Sequence, residues 1–373
     1  MENTSGASAR TLESSTPNEV DSGHFVASLE AERRRFLVGS VAAVASTAMT
    51  GCATADGGTG GAGGAGGNIV GNEHWAIKNT AQGPVRLFMW RKRIPGQEVK
   101  GTIVFVHGSS VQSVPAFDLQ VPGKPHFSTM DTFARMGFDT WCFDCEGYGR
   151  SDKHRDMNAD IAAGADDAAV VVEEIVRLTG RDKVLMYGSS SGALRAALYA
   201  QRHPARVKRL ALDAFVWTGE GSPTLTERKK RLAQYRASNR RPIDRAFVRS
   251  IFTRDVEGVA DPAMVEAFAD AVLAMDTSMP TGTYVDMSAN LPVCDPEKIN
   301  VPTLIMRGQW DGIATVEDLN KFFMKLPNPD KQFIVMPGIA HTSIRSRNFA
   351  LVYHLLTAFM SQPDPVHTGK AHV

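Results

Sequence analysis

Short apolar runs alternate with helix-favouring segments through most of the chain after residue 69. The first two runs, at 73–79 and 85–94, are separated by a Gln-Gly-Pro turn and predict an antiparallel pair of strands. Later apolar runs follow, of which the one at 102–106 is continuous, as is typical of a strand buried on both faces of a parallel sheet. These later runs lie at 102–106, 138–144, 183–187, 207–215, 302–308 and 332–336. This alternation predicts an α/β protein with a mostly parallel, doubly wound sheet.

Segments between these strands carry strong helix formers bounded by capping and stop residues. Asn158 has the side chain of a helix amino-terminal cap, and Gly180 ends the same segment. Thr315 is the predicted cap of a later helix that ends near Lys325. The predicted helices cover 127–135, 158–178, 193–200, 316–325 and 342–361.

The sharpest predicted turn lies in Gly188-Ser189-Ser190-Ser191-Gly192, between the strand at 183–187 and the helix at 193–200. A serine pinched between small residues at such a turn presents its hydroxyl clear of the backbone. The amides of the following helix point towards any negative charge that develops beside it. The pattern predicts a nucleophilic serine, and an ordinary Gly/Ser turn is the structural alternative.

Other chemically useful residues follow the ends of further predicted strands. His107-Gly108-Ser109-Ser110 follows the third strand, where glycine lets backbone amides turn towards a ligand. A glycine-rich loop at 144–151 follows the fourth strand. Asp213 ends the sixth strand, and Asp311 and His341 follow the last two. A serine, an acid and a histidine in this chain order are the components of a nucleophilic triad.

This order of parts resembles the α/β-hydrolase fold superfamily over roughly 71–362. The resemblance is carried by His107-Gly108, by the loop at 144–151 and by the turn at 188–192. It implies an α/β-hydrolase fold with Ser190 as the nucleophile and a helical cap inserted after the sixth strand.

The resemblance also implies the remaining site residues. The backbone amide of Ser191 forms one half of the oxyanion hole, and the amide of Ser109 or of Ser110 forms the other. In the superfamily the acid follows the strand after the cap, and the histidine follows the final strand. Asp311 and His341 occupy those two positions.

The segment that corresponds to the cap, about 217–300, interrupts the strand–helix rhythm and has a helical pattern that is clearest at 263–274. A cap closes the site and shapes the substrate pocket. This segment is rich in positive charge, which predicts either a solvated face with ion pairs or attraction of an anionic substrate or of membrane headgroups. The basic residues are Arg228, Lys229, Lys230, Arg231, Arg236, Arg240, Arg241, Arg245, Arg249 and Arg254.

These residues together favour acyl transfer to water. A serine hydroxyl needs a base near neutral pH, which His341 supplies, and a buried carboxylate holds that imidazole in one tautomer. The turn at 308–312 favours Asp311 as the acid, and Asp213 is the alternative. The leading interpretation is a serine hydrolase that cleaves a carboxylic ester or lactone of a small acyl substrate through an acyl-enzyme. The alternatives are an acyltransferase, an amide or carbon–carbon bond hydrolase, and a non-catalytic ligand-binding member.

Composition excludes several other classes of function. The 373 residues carry a formal net charge of only +1, which argues against a dedicated nucleic-acid binder. Four cysteines are too few for a disulfide scaffold. Cys142 and Cys145 have the spacing of a redox pair, but their place at a predicted strand favours packing. The chemistry needs no metal or organic cofactor, and the sequence has neither a zinc-type cluster nor a nucleotide-binding loop.

The amino-terminal region, 1–55, has the layout of an export signal. Arg33-Arg34-Arg35-Phe36-Leu37 precedes a short apolar run at 38–49 and resembles a twin-arginine signal. Met49-Thr50-Gly51-Cys52 resembles a lipoprotein cleavage box, which predicts a periplasmic or membrane-anchored protein with lipid on Cys52. The alternatives are ordinary cleavage after 53–55 and an unprocessed helix in a cytoplasmic enzyme.

A segment of mostly Gly, Ala and Thr at 56–68 predicts a flexible linker after this leader. The predicted catalytic domain therefore covers 69–373, with its cap at about 217–300.

Overall fold

The computed structural model of the protein describes residues 67–367 and 369. The predicted leader at 1–55, including Cys52, and the linker up to residue 66 lie outside the described residues.

An eight-stranded, mostly parallel sheet forms the centre of the described chain, as the sequence predicts. Its strands are β1 (Val70–Thr80), β2 (Gly83–Arg93), β3 (Gly101–Val106), β4 (Phe138–Phe143), β5 (Val184–Ser189), β6 (Val207–Asp213), β9 (Thr303–Gly308) and β10 (Lys331–Met336). The spatial order is β1-β2-β4-β3-β5-β6-β9-β10. β1 and β2 pair antiparallel, as do β2 and β4, and all the other neighbours pair parallel.

Burial explains why the central strands lack alternation in the sequence. Every residue of β4 and β5 is buried, because helices cover both faces of this part of the sheet. The edge strand β1 instead consists of exposed and partly buried residues, with Ala76 as its one buried residue. The helices outside the cap are α1 (Ser113–Phe117), α2 (Thr129–Arg135), α3 (Ile161–Thr179), α4 (Ser191–Arg202), α10 (Val316–Lys325) and α11 (Phe349–Met360).

Two predicted helix boundaries are wrong. The cap of α3 is Asp160, whose side chain accepts a hydrogen bond from the Ala163 amide at 2.8 Å, and Asn158 precedes the helix. The predicted helix at 342–361 is interrupted: a single 3₁₀ turn at Ser343–Arg345 precedes α11, which begins only at Phe349. In this 3₁₀ turn, Ser343 donates a hydrogen bond to the buried Asp213, a long-range contact that local helix propensity does not reveal.

The segment between β6 and β9 contains helices α5 (Pro223–Lys229), α6 (Leu232–Arg236), α7 (Arg245–Thr253), α8 (Pro262–Met275) and α9 (Gly282–Val285). α8 matches the clearest predicted helix. The segment also contains a short antiparallel pair, β7 (Arg240–Pro242) with β8 (Ser278–Pro280), which the helical interpretation missed. Each of these strands has three residues, too few to show a period-2 pattern.

Candidate active site

Ser190 lies at the sharp turn between β5 and α4, with φ 59° and ψ −125°. A positive φ is costly for a residue with a side chain, so close packing around the turn must enforce it. A Cβ on Gly188 would lie 2.3 Å from the Gly192 carbonyl oxygen, and one on Gly192 would lie 2.1 Å from the Val106 carbonyl oxygen. Only glycine therefore fits at these two positions, and the turn holds Ser190 at the carboxyl edge of the sheet.

The structure brings Ser190, His341 and Asp311 together in one chain of hydrogen bonds. His341 Nε2 lies 3.0 Å from Ser190 Oγ, and His341 Nδ1 lies 2.9 Å from Asp311 Oδ1. Asp311 follows β9 and His341 follows β10, so both loops leave the same edge of the sheet as the Ser190 turn. The structure thus places in contact the three side chains that the sequence indicates as candidates for nucleophile, base and acid.

Asp311 is 1% exposed, yet its environment favours the ionised form. Burial opposes ionisation of its carboxyl, but His341, Arg254 and the Ile313 amide outweigh burial and lower the pKa of Asp311. The Ile313 amide donates to Asp311 Oδ1 at 3.0 Å. The second oxygen, Oδ2, has no hydrogen-bond partner among the described residues. Asp311 can therefore support a positive charge on His341.

His341 is buried at 6% exposure, and its pKa lies below the usual value of 6.5. Burial is the main cause, with Arg254 adding to it, and Asp311 acts in the opposite direction. The imidazole is consequently neutral at pH 7 and able to accept a proton through Nε2.

The alternative acid, Asp213, is hydrogen-bonded to side chains other than His341. Its Oδ2 accepts hydrogen bonds from the Tyr187 hydroxyl at 2.5 Å and from the Ser343 hydroxyl. Burial raises its pKa to about 6, against these two hydrogen bonds. Its backbone carbonyl accepts from the Ser190 amide at 2.9 Å, so Asp213 supports the turn rather than the imidazole.

The two segments expected to form an oxyanion hole both border Ser190. Ser191 is the first residue of α4, where backbone amides have no acceptor within the helix. Ser109 and Ser110 line the same cavity as Ser190 and His341. The Ser109 carbonyl accepts from the Tyr148 hydroxyl at 3.1 Å.

His107 fixes the start of the loop that carries Ser109 and Ser110. Burial lowers the pKa of His107 to about 3, so the ring is neutral. Its Nε2 accepts from the Cys145 amide at 3.0 Å, which leaves Nδ1 to donate to the Gly108 carbonyl at 2.8 Å. Both ring nitrogens of His107 are therefore hydrogen-bonded to backbone groups, which holds the start of the loop.

A cavity of about 50 Å³ lies over Ser190 and His341, and a larger one of about 520 Å³ lies between the cap and the sheet edge. Arg228, Ile251, Arg254 and Tyr284 line both cavities, and we call this shared wall the junction. From the sequence, Arg228 and Arg254 are recognised only as members of a basic cluster. The sequence gave no signal for Tyr284 or Ile251, because neither belongs to a motif.

The described residues contain no group of three or more His, Cys, Asp or Glu side chains that could hold a metal ion. Cys142, Cys145 and Cys294 are free and buried. Burial raises the pKa of Cys145 to about 12, which makes this thiol inert. Over the same part of the chain, no helix combines the length and the apolar character that crossing a membrane requires.

The parallel sheet, the strained turn at Ser190 and the strand-end positions of Asp311 and His341 define this protein as an α/β-hydrolase. The chain belongs to the family described as serine aminopeptidase, S33, whose sequence profile matches residues 97–347, more than half of the chain. It is accordingly a hydrolase of this superfamily. No curated protein matches the chain.

Solved structures share the fold at low sequence identity. A thermophilic esterase from Thermogutta terrifontis is 18% identical with a TM-score of 0.56, covering 78% of this chain and 98% of its own. A hydrolase from Pseudomonas aeruginosa PA01 is 16% identical with a TM-score of 0.56, covering 78% and 98%. A Paleococcus ferrophilus monoacylglycerol lipase is 16% identical with a TM-score of 0.53, covering 74% and 99%. These likenesses concern the fold.

Proposed function

We propose that this protein is a serine hydrolase that cleaves a carboxylic ester or lactone through an acyl-enzyme. Ser190 is the nucleophile, His341 the general base and then the general acid, and Asp311 the acid that orients His341. The observation that carries the proposal is the continuous contact from Ser190 Oγ through the imidazole to Asp311 Oδ1, at 3.0 and 2.9 Å.

In the first step, Ser190 Oγ attacks the substrate carbonyl carbon while His341 Nε2 takes the hydroxyl proton. The imidazole becomes cationic, and the ionised Asp311 stabilises it through the hydrogen bond from Nδ1. The carbonyl oxygen becomes an oxyanion beside the Ser191 amide and the amide of Ser109 or Ser110. Each such donor contributes about 3 kcal/mol to transition-state stability.

The second half of the reaction releases the two products. His341 Nε2 gives its proton to the departing alcohol oxygen, and the carbonyl re-forms as an ester of Ser190. Water then loses a proton to His341 Nε2 and attacks the acyl carbon. The bond from that carbon to Ser190 Oγ breaks, His341 returns its proton to Oγ, and the carboxylic acid leaves. An alcohol oxygen leaves more readily than an amine, which favours esters and lactones over amides as substrates.

The proposal is tested by assaying the purified full chain on a panel of acyl esters, lactones and amides. We expect turnover of esters or lactones by the wild type and its loss in Ser190→Ala. The matched control is Ser361→Ala, since Ser361 is exposed and lies after α11. Ester turnover retained in Ser190→Ala would refute the role of Ser190. Ester formation that exceeds hydrolysis at low concentrations of added alcohol would instead identify an acyltransferase.

We also propose export of the protein through the signal at Arg33 and Arg34, with attachment of lipid to Cys52. The support is the sequence pattern alone. Cell fractionation of the wild type and of a variant with both arginines changed to lysine tests this. Equal distributions of the two proteins would contradict twin-arginine export.

A further inference from the structure

Several arginine side chains line the space over Ser190. Three arginines, Arg228, Arg254 and Arg345, line the inner cavity of about 50 Å³, and no aspartate or glutamate lines it. Guanidinium groups on the wall of a small cavity favour a bound anion, because the surrounding protein screens their charge less than water does.

The cap arginines differ in their partners. Arg245 and Arg249 form ion pairs with Glu266 at 3.0 and 2.7 Å, as a solvated basic face requires. Arg228 and Arg241 contact no carboxylate among the described residues. Neither guanidinium therefore pairs with an acidic side chain of the described chain, although Arg228 lines the cavity over Ser190 and Arg241 contacts Ser110.

Tyr284 lies between these two arginines at the junction. The guanidinium carbons of Arg228 and Arg241 lie 4.4 and 4.2 Å from the centre of its ring. Arg241 Nη2 donates to Ser110 Oγ at 2.6 Å, and that oxygen lies 3.2 Å from the Tyr284 hydroxyl. Arg241 thus holds the Ser110 side chain through a hydrogen bond. Arg228, by contrast, has the Met287 sulfur, a weak acceptor, at 3.7 Å.

The positive charges of Arg228 and Arg241 also act on the Tyr284 hydroxyl. Burial opposes its ionisation, but Arg228 and Arg241 outweigh burial and lower the pKa of Tyr284 to about 8. Negative charge is consequently stabilised at the junction, beside the cavity over Ser190.

We propose that the substrate carries a carboxylate, and that this carboxylate binds Arg228 at the junction while the ester carbonyl lies against Ser190. The inference rests on the proposed function and adds the substrate class. A guanidinium presents paired N–H donors that match the two oxygens of a carboxylate. A carboxylate there would also supply the counter-ion that a partly buried guanidinium lacks.

The first test compares two substrates of equal chain length, p-nitrophenyl hydrogen glutarate and p-nitrophenyl valerate, with the spontaneous hydrolysis of each subtracted. The measured quantity is the ratio of kcat/KM for the anionic ester to kcat/KM for the neutral one. We expect Arg228→Gln to lower this ratio about tenfold or more, the usual effect of losing a hydrogen bond to a charged group. Arg236→Gln is the matched control, because Arg236 is exposed and lies in the same basic cluster.

The second test measures binding without turnover. Monomethyl glutarate and dimethyl glutarate are titrated calorimetrically into Ser190→Ala and into Ser190→Ala with Arg228→Gln. We expect the monoanion to bind more tightly than the diester, and Arg228→Gln to remove the difference. Equal binding of the two probes, or a ratio unchanged by Arg228→Gln, would overturn the proposal. Arg228-dependent binding without any hydrolysis by the wild type would refute the proposed function and leave the anion site intact.

Discussion

Arg254 Nη2, which comes from the cap segment, lies 3.9 Å from Asp311 Oδ1. The same guanidinium contacts the neighbouring Asp255, with Nε 3.2 Å from its carboxylate. Arg254 thereby lowers the pKa of both Asp311 and His341. The cap and the hydrogen-bonded chain at Ser190 are therefore electrostatically coupled.

Removing the Arg254 charge tests this coupling. In Arg254→Gln, the imidazolium form of His341 loses a nearby repulsive charge, so the pKa of His341 rises. The acid limb of kcat/KM against pH then moves to higher pH. Arg249→Gln is the control, since Arg249 lies on α7 and pairs with Glu266 in solvent. An acid limb that does not move in Arg254→Gln would show that the contact has no electrostatic effect on His341.

The pH profile of the wild type follows from the environment of His341. Its neutral form is the active base, so kcat/KM falls as pH falls through the pKa of His341. Because burial lowers that pKa, we expect the midpoint below 6.5, with kcat/KM rising above it towards a plateau. The measurement uses an ester whose charge is constant over the range. A midpoint above 6.5 would contradict the burial argument.

Asparagine substitutions separate the two candidate acids. We expect Asp311→Asn to lower kcat by about 10⁴-fold, because the amide no longer holds the proper tautomer or stabilises the imidazolium. Asp213→Asn keeps the shape of a group that contacts Tyr187 and Ser343, and we expect a loss below about tenfold. Steady-state kinetics on one ester measures both, and the reverse order of effects would make Asp213 the acid.

Because the turn at Ser190 is closely packed, we expect replacement of its Gly192 to lower the free energy of unfolding strongly. In Gly192→Ala, the new Cβ would lie 2.1 Å from a backbone oxygen, so the turn must deform. We expect a loss of about 3 kcal/mol or more in the free energy of unfolding. Gly180→Ala is the control: its φ is 67°, but nothing lies within 4 Å, and we expect about 1 kcal/mol. Denaturant unfolding that ranks the two equally would contradict the packing argument.

The order of strands and the site positions follow from local signals in the sequence. Apolar runs identify β3 to β6 and β9, because most residues of these strands are buried. Ser190, Asp311 and His341 each follow a strand, and the resemblance to the α/β-hydrolase superfamily indicates them before any contact is known. The structure adds the distances that join them and separates Asp213 from the imidazole.

The contacts of the cap residues could not be predicted from the sequence, because they join segments that are far apart along the chain. Arg228 and Arg249 look alike in a basic cluster, and only long-range contacts show that Arg249 has a carboxylate partner and Arg228 has none. Tyr284 belongs to α9, a helix of four residues with no pattern of its own. Its place at the junction depends on how separate segments fold over the sheet.

Covalent labelling is the most direct test of whether Ser190 is an activated nucleophile. The full chain is treated with a fluorophosphonate at pH 7, digested, and the modified residue is located by mass spectrometry. We expect one phosphonyl group on Ser190, with labelling abolished in Ser190→Ala and strongly slowed in His341→Gln. An unlabelled Ser190 in a folded protein that still hydrolyses esters would contradict this expectation.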